Sequence, residues 1–193
     1  MRTKKVILSG FLCLPLVLWA QESQKRDGPK APDWKPTKEH QLLKQFEGEW
    51  EYRSRCMMPG QEPQEGRGTE TDRLAYGGFW LHLENKGTAM GKEYSGTGLI
   101  GYDPKRMKYV GVWADNFMPF LGRFEGDADL SGKILTFKML GEDPHTGQAQ
   151  SGWMKFEFKS PDHRVLSFYG KDQAGKEQLM SEMTFTRKGG TLR

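Results

Sequence analysis

Cysteine is nearly missing from this 193-residue chain, which holds two, Cys13 and Cys56. No Cys-x-x-Cys pair forms, and the four histidines, His40, His82, His145 and His163, stand far apart with no His-Glu-x-x-His spacing, so no metal site is assigned. Gly-x-Ser-x-Gly is absent as well, and Ser, His and Asp are scattered without the context of a nucleophilic triad. No catalytic residue and no cofactor is therefore assigned. Long apolar runs are lacking but for one, Val6 to Trp19, which is shorter than the roughly 20 residues a membrane span needs and is interrupted by Pro15.

That run follows a basic start (Arg2, Lys4, Lys5) and ends at Ala20 before Gln21-Glu22-Ser23. The pattern is that of a secretory signal peptide over 1–20, cleaved after Ala20, with a secreted or periplasmic destination. Bulky Phe11 and Leu12 before Cys13 argue against a lipidation signal. The three leader cations supply most of the formal charge of +4, so the remainder is close to neutral and gives no reason to expect nucleic acid. Only Cys56 would survive cleavage, which rules out a disulfide within the mature chain. Stability must come from a core, and roughly 145 residues after Gly48 suffice for one domain.

Residues 21–36 combine three prolines with charges and read as a flexible linker. The folded domain is expected over 37–190. Thr37 offers an N-cap, with His40 where a capping box prefers Glu or Gln, ahead of Leu42, Leu43 and Phe46 at helical spacing. Gly48 is expected to close this short helix as a C-cap.

Beyond it the chain alternates. Strands are predicted near 49–58, 67–76, 79–86, 92–102, 107–115, 119–128, 134–141, 150–159, 164–171 and 176–187, joined by turns such as Gly77-Gly78, Asp103-Pro104, Ser131-Gly132 and Pro161-Asp162. Short connections favour an all-β, antiparallel up-and-down barrel of about ten strands, because closure removes two long exposed edges. One face of the first strand carries Trp50, Tyr52, Ser54 and Cys56. An interior mixing aromatics, hydroxyls and glycines suits a cavity, with a filled barrel as the alternative.

A literal G-x-G-x-x-G, Gly96 to Gly101, lies between strands rather than before a helix, so it reads as a place of sharp bending or close backbone approach and not as a nucleotide site. His82 beside Trp80 is a packed or surface histidine on this reading. Cys56 has no activating base in sequence and reads as a small buried hydrophobe.

Gly48-Glu49-Trp50 opening the first strand and Arg187 closing the last resemble the calycin signature, in which an arginine packs over the tryptophan ring and closes the barrel. More specifically, Gly77-Gly78-Phe79-Trp80-Leu81, Gly98 to Asp103, Lys108 to Trp113 and Glu182 to Arg187 resemble the bacterial family called domain of unknown function 1579. That resemblance implies an exported lipocalin-like barrel and supplies no catalytic residues. Lipocalins proper have eight main strands and usually a disulfide. Fatty-acid-binding proteins insert a two-helix lid where this chain has Pro59 to Gly66, and use an Arg-x-Tyr pair absent after Arg187.

The leading expectation is a barrel that binds a small apolar or amphipathic molecule, with Tyr52, Tyr94, Tyr109, Trp113 and Tyr169 as walls and Arg73, Asp115 and Arg123 orienting a polar end. The alternatives are a small hydrolase or isomerase using Asp115 or Glu182 at the barrel mouth, and a protein-interaction module with a filled barrel. Oligomeric state stays open.

Overall fold

The computed structural model describes residues 33–57, 62–141, 147, 152–172 and 174–189. The expected leader with Cys13, most of the linker, residues 59–61 of the Pro59–Gly66 connection and His145 lie outside the described residues. Within the unit that begins at Lys35, a short helix α1 (Lys38–Leu42) and a 3-10 turn (Leu43–Phe46) precede ten strands. These are β1 (Gly48–Cys56), β2 (Gln64–Ala75), β3 (Trp80–Ala89), β4 (Lys92–Asp103), β5 (Lys108–Asp115), β6 (Gly122–Ala128), β7 (Ile134–Leu140), β8 (Trp153–Ser160), β9 (His163–Lys171) and β10 (Glu177–Arg187). Each pairs antiparallel with its sequence neighbours, and β1 pairs with β10, so the sheet is a closed barrel without edges.

Local chemistry explains where elements start and stop. Thr37 is the N-cap as expected, and its backbone N–H donates to His40 Nδ1 at 3.0 Å, so the imidazole fills the place of a capping-box acid. Gly48, expected as the helix C-cap, instead opens β1: the helix tightens into the 3-10 turn, and Gly48 takes a φ of +135° with the Arg187 guanidinium against it, where any Cβ would collide. β6 starts at Gly122 rather than 119, because Asp115 Oδ1 accepts the N–H groups of Phe117 and Met118 and turns the chain away before Pro119.

The helical segment plugs one end. Leu43 and Phe46 are fully buried, with Phe46 edge-on to Phe156 and Phe158 at centroid distances of 5.2 and 4.8 Å. Trp50 Nε1 donates to the Phe46 carbonyl at 2.8 Å. Arg187 lies over the Trp50 ring at 4.1 Å and donates to the carbonyls of Gln45, Glu47 and Pro161, so the last strand, the plug and the β8–β9 turn meet on one guanidinium.

A second cation lies inside the barrel. Arg164 is wholly buried, stands over Trp50 at 4.3 Å and Phe185 at 4.5 Å, and pairs with Asp72 Oδ2 at 2.7 Å and with Glu70. Asn85 Nδ2 donates to Glu70 Oε2 at 2.9 Å, while Asp72 Oδ1, Asn85 Oδ1 and Arg164 Nε make no protein hydrogen bond. Burial pushes both carboxyls upward, Asp72 well up, and the Arg164 guanidinium opposes it.

Arg164→Met leaves two carboxylates buried without their cation and should lower stability by about 3–5 kcal/mol near neutral pH. Both groups hold protons more tightly folded than unfolded, so the folded state gains from acidification and the loss should shrink as pH falls toward the ordinary carboxyl range. Urea denaturation of parent and variant at neutral and acidic pH checks this; an equal deficit at both would contradict it.

Candidate functional site

The two halves of the barrel interior differ. Near the plug the inward side chains, among them Leu81, Ile100, Phe124, Leu135, Phe137, Phe156 and Phe185, are buried and form one core. Toward the opposite end, where β1–β2, β3–β4, β5–β6 and β9–β10 turn, the inward positions Ser54, Cys56, Tyr94, Trp113, Asp115, Met139, Phe168, Ser181 and Met183 are only half-buried. Solvent therefore touches the side chains of this rim, while those of the core are closed to it.

One wall of this accessible half is built on the glycine motif. Gly96 and Gly98 face inward beneath Trp113, and a Cβ on either would lie 2.5 or 2.6 Å from its ring. Gly101 faces outward and seats Trp80 in the same way, at 2.6 Å. The close approach inferred from these glycines is thus made chiefly by two indoles, one on each side of β4. Trp113 Nε1 donates to Tyr94 Oη at 3.0 Å and to Asp115 Oδ2 at 3.2 Å, and Tyr94 packs edge-on to Phe117 at 5.2 Å. Burial, reinforced by the Asp115 charge, pushes the Tyr94 phenol upward. Tyr52 forms the floor over inward Gly68 and Gly87, its phenol pushed up to about 12 by burial and by Glu70.

Of the eight expected ligand contacts, Tyr52, Tyr94, Trp113 and Asp115 come together here. Tyr109 also points inward, but at the plugged end, where its hydroxyl donates to the Glu39 carbonyl at 3.0 Å and burial raises it to about 12. Arg73, Arg123 and Tyr169 are corrections: pleat parity turns all three to the outer face, where the arginines are exposed and Tyr169 stacks on Trp153 at 3.9 Å. Glu182 likewise turns outward, in register with exposed Arg55, so it does not join Asp115 inside the mouth. Asp115 accepts from two backbone amides and the indole, and neither Arg73 nor Arg123 pairs with it.

The sequence reading missed Glu70, Asp72, Asn85 and Arg164, because β2 carries charges on both faces. It also missed Met139, Phe168 and Met183 as lining; alternation places them inside, but they read as ordinary core. His82 lies on the outer face with a ring nitrogen 2.9 Å from Thr97 Oγ1, and among the described residues no group of His, Cys, Asp and Glu is placed to hold a metal. An apolar groove of about 330 Å³ lies on the outer wall, lined by Tyr76, Trp80, Leu99, Val110 and Val112.

The family described as "Protein of unknown function (DUF1579)" matches residues 35–187, from the plug to the arginine that closes β10. The chain belongs to the DUF1579 family. Solved structures similar to this DUF1579 barrel include Rv2717c from M. tuberculosis, at 16% identity and a TM-score of 0.58, covering 78% of this chain and 98% of that one. Another is the S-type phycobiliprotein lyase CPES from Guillardia theta, at 12% identity and a TM-score of 0.53, covering 79% and 93%. At such identities the likeness is one of fold. No curated protein matches the DUF1579 chain.

Gly96→Ala should displace the Trp113 ring and break its bonds to Tyr94 and Asp115, with a red-shifted, more quenchable tryptophan emission and a stability loss of about 1–3 kcal/mol. Gly91→Ala, in open space though at positive φ, is the control expected to leave the emission in place. Unchanged emission in Gly96→Ala would contradict the seating.

Proposed function

We propose that this DUF1579 protein is an exported, one-mouthed binding barrel that holds a small apolar or amphipathic molecule in the rim half of its interior. The observation that carries this reading is the division of the interior into a sealed core and a rim half whose inward side chains, Trp113, Phe168, Met139 and Met183 among them, pack against that core and stay only half-buried. Aromatic and thioether walls favour apolar surface, and the methionines adapt to its shape. The polar groups at the wall are the Tyr52 and Tyr94 phenols, the Ser54 and Ser181 hydroxyls, the Cys56 thiol and the Asp115 carboxylate, which is the one charge among them. The interior cation, Arg164, is already paired to two carboxylates. A bound molecule would therefore present an amine, amide or alcohol rather than a carboxylate. In support, the S-type lyase, a barrel of similar fold, is named for phycobiliproteins, and the basic-apolar leader motivates the export.

Native mass spectrometry of protein taken from its host tests both halves of the reading. The polypeptide mass should place the mature N-terminus at Gln21, and an added mass lost on denaturation should identify the ligand. With purified protein, Nile red should bind with enhanced emission, Trp113→Ala should weaken it about ten-fold, and dodecylamine should displace the dye at lower concentration than dodecanoate. Absence of dye binding would reject the pocket, and a preference for dodecanoate would reject the polarity assigned to it.

A further inference from the structure

The rim carries a second property that small-ligand binding does not require. In the β5–β6 connection Met118, Phe120 and Leu121 are 49%, 43% and 51% exposed, and Met90 at the β3–β4 tip is 43% exposed. Their display is built in. Asp115 captures the N–H groups of Phe117 and Met118 and turns the connection outward. Met90 occupies the first place of a two-residue turn, with φ +49° ahead of Gly91 at +72°, where Asn or Gly would cost less.

On the outer wall of the same end, below the β3–β4 tip and across the mouth from the β5–β6 connection, Arg53, Arg55 and Arg67 are exposed and line a depression of about 450 Å³ with Glu65 and Thr88. Arg53 and Arg67 are directly opposed across the β1–β2 ladder, an unfavourable like-charge pair, and Glu65 opposite Arg55 is the sole anion of the lining. Among the described residues none of the three arginines forms an ion pair.

Apolar tips and an opposed, uncompensated arginine pair, Arg53 and Arg67, at one end of a barrel make opposite demands on a partner, and one surface meets both. Phosphate groups relieve the Arg53–Arg67 repulsion while Phe120, Leu121, Met118 and Met90 enter the boundary between headgroups and acyl chains. We propose that the open rim docks on an anionic lipid bilayer. The barrel does not span it: the contact is interfacial and reversible.

Co-sedimentation with vesicles tests this, comparing phosphatidylcholine alone with phosphatidylcholine containing about one-third phosphatidylglycerol. The protein should sediment with the mixed vesicles, not with the neutral ones, and release at high salt. Arg53→Gln with Arg67→Gln should lower partitioning about 30-fold, from about 1 kcal/mol per basic residue. Phe120→Ser with Leu121→Ser should also release the protein while preserving the salt dependence of what remains. All four side chains are exposed, so unchanged melting temperatures would show that both variants fold. Failure to bind mixed vesicles, or full binding by the double-arginine variant, overturns the proposal. Capture on immobilised polyaspartate without vesicle binding would overturn it in favour of an acidic protein partner.

Discussion

Trp50 is the point on which the barrel closes. Its indole lies under two guanidinium groups, Arg187 from the last strand and buried Arg164 from β9, and its N–H is held by the plug. Closure of a ten-stranded sheet brings together segments more than a hundred residues apart, at an entropic cost that the ladder hydrogen bonds meet only after the ends have found each other. A ring that holds both ends and the plug converts three separate meetings into one cooperative contact. The Arg164 cluster adds specificity of position: a wrong register would leave charges buried and unpaired, a far greater penalty than a misplaced methyl group.

The glycines of β4 illustrate how a motif changes meaning with context. In a strand, alternation sends Gly96 and Gly98 inward and Gly101 outward, so the spacing that would form a phosphate cradle before a helix becomes two seats for indoles on opposite sides of one wall. Trp113 thereby belongs to the rim half of the interior and Trp80 to the outer groove. The same strand supports both surfaces.

Much of this was legible in the sequence. Period-two alternation and turn residues placed all ten strands, and Trp50 with Arg187 disclosed the closure, because these signals are local or rest on rare residue types. Arg73, Arg123 and Tyr169 went astray because a strand with useful residues on both faces does not declare which one is inside; the pleat settles that through partners such as Asp72 and Leu74. The Glu70–Asp72–Arg164 cluster was invisible for a related reason. Arg164 lies more than ninety positions from both its carboxylates, and nothing in a Glu-Thr-Asp-Arg run marks two of its charges for burial. Met139, Phe168 and Met183 have core-like identities, and only their depth along the barrel axis leaves them half-buried at the rim.

The barrel sealed at one end by Phe46 and its neighbours is a cup rather than a tunnel. On the proposed binding role, whatever enters must leave by the same opening, and an occupant blocks its own replacement. Exchange in such a vessel is sequential: release comes before capture. For a binding barrel of the kind proposed, the orientation of the mouth would set when a ligand is taken up and when it is given off, since a single opening faces one direction at a time.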